Sequence, residues 1–568
     1  MTASGGVCGS RPSLAFEFVI GLAALFAAMT CGTPSAKATD SFEHRAIWTE
    51  SGPLEGVVTA QVNSYLGIPY AAPPVGSLRW MPPRPFGRWP GVFSATQVGH
   101  ECPQLSVTFP QTVVGDENCL FLNIYTPNVE ENPDRDDGHA NEHRDHNRHH
   151  GFAVMVWIHG GGLTQGAGSD FDPTPLVKGG GVIVVTINYR LGLLGFLAHP
   201  ALDSEGHLAG NYGLMDQQFA LGWVRRNIAA FGGNPHRVTI FGESAGGLSV
   251  YSQLASPLAA GLFRRAIAQS GAYASFADYL DRIIPIAIAE TAGGPGVDPG
   301  TTVADRLGCT SQTAACLRGV TVTAATVVGL RPRAIFPFID GTLLTQTLRG
   351  AFASGSFNRV PVITGTNHDE YRYFVARNYD LNPGVGPLNN ADYTTAVDAV
   401  FGATPWLPPL VLLEYPLPSS PPPPPADAAS LALGAAGTDG TFGCTARHAM
   451  QDLAHYVTTY AYEFNDEHAP APAGVSFPMG AYHGADVQYL FNRNGVPAVF
   501  TPDQQQLSQV MISYWTQFAK TGDPNSPGHP VWAPYLPATD ERLSFLPPEP
   551  VVESGFATDH LCAFWDSL

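Results

Sequence analysis

A chain of 568 residues, 44% apolar and only 14% charged, is too hydrophobic to stay disordered, and it is long enough for one very large domain or three ordinary ones. Lys plus Arg number 29 against 48 for Asp plus Glu, a formal charge of −19, so the basic surface that a nucleic-acid binder needs is missing. Eight Cys cannot replace a hydrophobic core at this length, although they can still pair.

In chain order, the first element is Phe18 to Met29 (FVIGLAALFAAM), apolar but short for a bilayer span, with Arg11 before it and Ala36-Lys37-Ala38 after it. This reads as a secretory signal peptide over residues 1–38, which implies a secreted or periplasmic protein. No later apolar run approaches about 18 residues, so no stable membrane insertion of the mature chain is expected. Glu130 to His150 is polar throughout and carries five His with no fixed ligand spacing; it reads as a surface insertion, and no metal is implied. Phe152–Ile158 (FAVMVWI) and Val182–Ile187 (VIVVTI) are β-branched apolar runs of the kind buried on both faces of a mostly parallel sheet. Met215–Phe231 follows, with Leu221, Val224 and Ile228 at helical spacing, and then Val238–Phe241 (VTIF). Strand, helix, strand is the rhythm of an α/β fold. Residues 405–430 hold Pro421 to Pro425 in a row and read as a second, stiff surface insertion. Motifs of one candidate site lie on both sides of each insertion, so residues 39–568 are expected to form a single domain.

The chemistry centres on Gly242-Glu243-Ser244-Ala245-Gly246, placed between the VTIF strand and a helical run. A serine exposed at the tip of a sharp strand-to-helix turn is crowded, and small residues two positions away on each side relieve it. The FAVMVWI strand ends in His159-Gly160-Gly161-Gly162, whose bare backbone can aim N–H groups at a developing oxyanion. Gly161, Gly162 and Ala245 are the expected donors. A serine needs a base and the base needs an orienting acid, in chain order Ser, acid, His. Two segments fit that order: Gly365 to Glu370 (GTNHDE) after a short apolar strand at Val360–Thr364, and Gly480 to Asp486 (GAYHGAD). From the chemistry alone the acid is Asp369 or Glu370 and the base is His368 or His483.

The motifs YLGIPYAAPPVGSLRW (Tyr65–Trp80), ENCLFLNIYTP (Glu117–Pro127), WIHGGG, NYRLGLLGFL (Asn188–Leu197), NYGLMDQ (Asn211–Gln217) and FGGNPHRVTIFGESAGG (Phe231–Gly247) together resemble the type-B carboxylesterase and cholinesterase-like family of α/β-hydrolases. The resemblance runs from about Ala46 to Trp565. It implies an α/β-hydrolase fold, with a large, mostly parallel twisted sheet flanked by helices, and a serine carboxylesterase with the triad Ser244, Glu370 and His483. It further implies the disulfides Cys102–Cys119, Cys309–Cys316 and Cys444–Cys562, and a structural ion pair between Arg79 and Glu117. Two positions depart from the family: Tyr371 stands where Gly usually follows the acid, and Asn118 where Asp is more usual. Tyr373 and Phe374 after the acid are expected to line the substrate pocket. Phe109 is the sole aromatic residue of the first disulfide loop, and without a Trp there choline esters are not the expected substrates. Acyl transfer of this kind needs no cofactor and no metal; its partner is a small-molecule ester. A lipase and an amide or carbamate hydrolase share the same motifs, whereas an adhesion relative of the same fold would lack part of the triad. Because the base must start neutral, activity is expected to rise through an apparent pKa of about 6.5–7.

Overall fold

A computed structural model describes residues 46–59, 61–105, 113–128, 151–277, 279, 281–294, 298–320, 335–418 and 424–568. The expected signal peptide (1–38), the polar insertion (130–150) and Phe109 lie outside the described residues.

A ten-stranded sheet carries the molecule. Its strands are β1 (Val62–Pro69), β2 (Phe121–Pro127), β3 (Phe152–Ile158), β4 (Ile183–Ile187), β5 (Gly233–Glu243), β6 (Arg265–Gln269), β7 (Val362–Asn367), β8 (Thr459–Phe464), β9 (Arg542–Phe545) and β10 (Val551–Glu553). Across the sheet the order is β10-β9-β8-β7-β6-β5-β3-β4-β2-β1. From β4 to β9 every neighbouring pair is parallel, while β4–β2, β2–β1 and β9–β10 are antiparallel. The central strands are apolar without alternation because helices cover both faces. On β3, Val154, Val156 and Ile158 enter one core while Met155 and Trp157 enter the other.

Helix α1 (Tyr212–Asn227) and α2 (Ala245–Ala255) pack on the first face through residues such as Leu221, Val224, Leu248 and Leu254. The predicted helix 215–231 starts three residues early. Its last turn, Ile228–Phe231, tightens to 3₁₀ before Gly232, whose φ of 84° ends it. On the second face lie α3 (Arg372–Asn378), α4 (Leu407–Glu414), α5 (Ala428–Gly437) and the long α7 (Pro502–Thr521). A wide π turn, Thr438–Gly443, joins α5 to α6 (Cys444–Ala454). No helix among the described residues is long and apolar enough to cross a membrane.

The Pro-rich insertion is narrower than its composition implies. Pro408 and Pro409 open α4, where a missing N–H leaves no helical hydrogen bond unmade, and Leu407, Pro408 and Val411 are buried. At the other end Ala428, Ala429 and Ser430 are already inside α5 and buried. Thus both ends of the 405–430 segment belong to the packed second face.

Candidate active site

Strand β5 delivers Ser244 into a strained turn. The residue has φ 58° and ψ −123°, a conformation rarely tolerated by a side-chain-bearing residue. Its amide is held by the Gln269 carbonyl at the end of β6, 2.9 Å away. The flanking glycines are there because backbone passes too close for anything larger. A Cβ on Gly246 would stand 1.9 Å from the Ile158 carbonyl oxygen, and one on Gly242 would stand 2.5 Å from it. Ala245 is the first residue of α2, so its N–H has no acceptor within the helix.

The glycine loop after β3 lies against this turn. A Cβ on Gly160 would meet the Ser244 Cβ at 3.1 Å, and Gly161 and Gly162 carry φ of 98° and 63°, left-handed values that turn the chain there. His159 anchors the loop by stacking on Tyr189 at 4.4 Å, while the Tyr189 hydroxyl donates to the His159 carbonyl at 2.7 Å. Burial pushes the His159 imidazole down to a pKa of about 4, so it is neutral.

Of the two candidate bases, His483 is the one brought to the site. Its Nδ1–H donates to Glu370 Oε2 at 2.5 Å, across 113 residues of sequence. The other Glu370 oxygen accepts from the Thr366 hydroxyl and the Asn367 amide, both at 2.8 Å, which fixes the carboxylate. Asn367 in turn donates to the Tyr482 carbonyl at 2.8 Å, tying the acid loop to the histidine loop. Asp369 is engaged elsewhere, by Arg372 at 2.9 Å and by the Ala481 amide at 3.0 Å. His368 lies instead beside Glu463 and His560, its ring 5.2 Å from that of His560. Of the two acids and two imidazoles left open by the sequence, Glu370 and His483 are the pair in contact.

A third carboxylate, not singled out in the sequence, joins them. Glu243 precedes Ser244, is buried, and places Oε1 3.3 Å from His483 Nε2, which has no hydrogen-bond partner among the described residues. Burial alone would lower the imidazole pKa, but Glu243 and Glu370 outweigh it and hold His483 up at about 9. Burial pushes Glu243 up to about 7 against the pull of His483. Two buried carboxylates thus hold this imidazole above the ordinary range on which the expected limb of about 6.5–7 rests.

Rings close over the histidine. Phe374 lies 4.9 Å and Tyr373 6.1 Å from the His483 ring, so both expected pocket residues adjoin it. Phe442, on the π turn, lies 5.0 Å from His483 and stacks on Phe374. Nothing in its local sequence marks Phe442; only the packing of α5 brings it in. The bulk of Tyr371 leaves the cleft and lies against Gly437 of α5, where an added Cβ would meet the ring at 2.1 Å.

Around the site the scaffold matches the expected pairs. Cys102 is bonded to Cys119, Cys309 to Cys316 and Cys444 to Cys562. Arg79 grips Glu117 with two hydrogen bonds of 2.6 Å.

Residues 43–565 match the Carboxylesterase family. The chain is similar to a cocaine esterase of Oryctolagus cuniculus, 33% identical over 89% of this chain and 91% of the relative. It is also similar to an acylcarnitine hydrolase of Mus musculus, 33% identical over 91% of this chain and 90% of the relative. Among solved structures, a PNB esterase superposes with a TM-score of 0.71 at 29% identity, covering 92% of this chain and all of the other.

Proposed function

The chain belongs to the carboxylesterase family, has the α/β-hydrolase fold and is a carboxylic ester hydrolase; from that premise we propose that it is a serine esterase working through an acyl-enzyme, with Ser244 as nucleophile, His483 as base and Glu370 as orienting acid. The observation that carries this reading is the state of the His483 ring. Its Nδ1 is fixed on Glu370 at 2.5 Å, while its Nε2, beside the nucleophile turn, has no hydrogen-bond partner among the described residues.

In the cycle, His483 Nε2 takes the Ser244 hydroxyl proton as Oγ attacks the ester carbonyl carbon. Glu370 keeps the ring in the tautomer that presents a bare Nε2, then stabilises the imidazolium. The carbonyl oxygen becomes an oxyanion held by the amides of Gly161, Gly162 and Ala245. His483 returns the proton to the leaving alcohol, and water repeats both steps to free the acid. The Phe374, Phe442 and Tyr373 rings give the substrate an apolar wall, which favours esters with aliphatic or aromatic groups.

We also propose that residues 39–568 form one domain and that the protein is exported, secreted or periplasmic, by the segment 1–38. Three disulfide bridges support an oxidising compartment. Incubation with a fluorophosphonate probe, followed by peptide mass analysis, tests the mechanism. A single adduct on Ser244 and loss of turnover in Ser244→Ala are expected; labelling elsewhere, or full activity in that variant, overturns it. A chain-length series of nitrophenyl esters then separates an esterase, which prefers short soluble acyl groups, from a lipase.

A further inference from the structure

A second histidine–carboxylate cluster lies on the acid loop's outer side. Its three members, His368, Glu463 and His560, each offer one ligand atom, and these atoms all lie within 4.8 Å of one another. They come from separate, well-anchored elements. Glu463 sits on β8 with its backbone paired to Thr366 of β7. His368 follows β7 and its amide donates to the Phe464 carbonyl at 3.0 Å. His560 lies two residues before Cys562, which is bonded to Cys444 of α6.

Two of the three members are already oriented from behind. Asp439 Oδ1 accepts from His560 Nδ1 at 2.6 Å, which leaves Nε2 facing Glu463 Oε1, also at 2.6 Å. Asn465 donates to the other Glu463 oxygen at 3.1 Å. His368 Nδ1 is shielded from solvent, makes no hydrogen bond among the described residues, and touches Asp369 Oδ1 only at 3.2 Å. A carboxylate behind a histidine is the arrangement that fixes the tautomer and raises the basicity of metal-bound imidazoles.

We infer that His368, Glu463 and His560 form a binding site for a zinc-type divalent cation, with Asp439 as the outer partner of His560. Two imidazole nitrogens and one carboxylate oxygen suit a borderline ion such as Zn²⁺ or Co²⁺, whereas Ca²⁺ and Mg²⁺ prefer oxygen ligands alone. The cation takes the place of the proton between His560 Nε2 and Glu463 Oε1, which is released. Glu463 and His560 are buried, while 38% of the His368 side chain is exposed, so the ion enters past His368 and keeps water as its fourth ligand.

The five histidines of residues 130–150 are a competing source of Zn²⁺ binding and are removed first. Full-length protein with His139, His143, His146, His149 and His150 changed to Ser is stripped with chelator and titrated with Zn²⁺ by equilibrium dialysis and with Co²⁺ by visible absorption. One equivalent of each is expected, with cobalt d–d bands of tetrahedral intensity. In that background His368→Ala should abolish the Co²⁺ spectrum, and Asp439→Asn should weaken Zn²⁺ binding by about 10- to 100-fold. Circular dichroism and ester turnover report that each variant is folded. Failure of the serine-substituted protein to bind one equivalent, or an unchanged dissociation constant in folded His368→Ala, overturns the assignment.

Discussion

Two buried histidines in this chain are each set between two carboxylates, and they are wired differently. Among the described residues His483 is hydrogen-bonded through one nitrogen only, to Glu370, while its Nε2 stands 3.3 Å from Glu243. His560 is bonded through both, at 2.6 Å to Asp439 and 2.6 Å to Glu463. The same ingredients therefore give a ring that can pass a proton and a ring that is clamped as a cation. Burial opposes charge on both, but the flanking carboxylates outweigh it and lift His483 to about 9 and His560 to about 10. What separates the proposed base from the brace is the nitrogen left unbonded among the described residues, not the presence of nearby acids.

The sharpest way to break that contrast is substitution of each ring. His483→Ala should lower kcat per folded molecule by about 10⁶-fold, measured by nitrophenyl ester turnover normalised to the folded fraction from thermal melting. If the histidine were only a brace, turnover per folded molecule would be kept. Next comes the long disulfide that holds the His560 side of the comparison. Replacing Cys444 and Cys562 by Ala removes a 118-residue cross-link, which the loop-entropy relation values at about 4.9 kcal/mol, against about 2.4 kcal/mol for the 7-residue Cys309–Cys316 loop. Urea unfolding of the two double variants checks the ranking; equal losses would place the stabilisation in local packing instead.

His560→Asn leaves buried Asp439 and Glu463 without their cation and should cost about 3–5 kcal/mol in the same urea assay. Its effect on turnover per folded molecule should be far smaller than that of His483→Ala. The smallest effect is on pH. In the proposed cycle neutral His483 is the active form, so its raised pKa should place the rising limb of kcat/KM above the ordinary imidazole range. Glu243→Gln removes the negative charge that most favours the imidazolium, so the limb should move to lower pH by about one unit. A limb that stays put, or moves up, would mean that Glu243 does not set the basicity of His483.

Much of the site was legible because its causes are local. Gly242 and Gly246 must be small since Ile158 passes within 2.5 Å of where their Cβ atoms would be, and the positive φ of Ser244 follows from that tight turn. The β3 and β4 runs announced a sheet covered on both faces through composition alone. The resemblance then chose Glu370 over Asp369 and His483 over His368, a choice that spacing left open. Glu243 was written inside the pentapeptide, yet nothing in the pentapeptide says that its carboxylate faces the base.

By itself, the sequence determined four central strands (β3, β4, β5 and β7), the serine turn, the glycine loop and the family, since steric and apolar preferences act over a few neighbouring residues. The tertiary structure alone decided that Phe442 walls the cleft, that Tyr371 turns into α5, and that His560 is clamped across 121 residues from Asp439. Burial and charge pairing set those outcomes. Both depend on which distant segments share a low-dielectric interior, and no local pattern of residues encodes that.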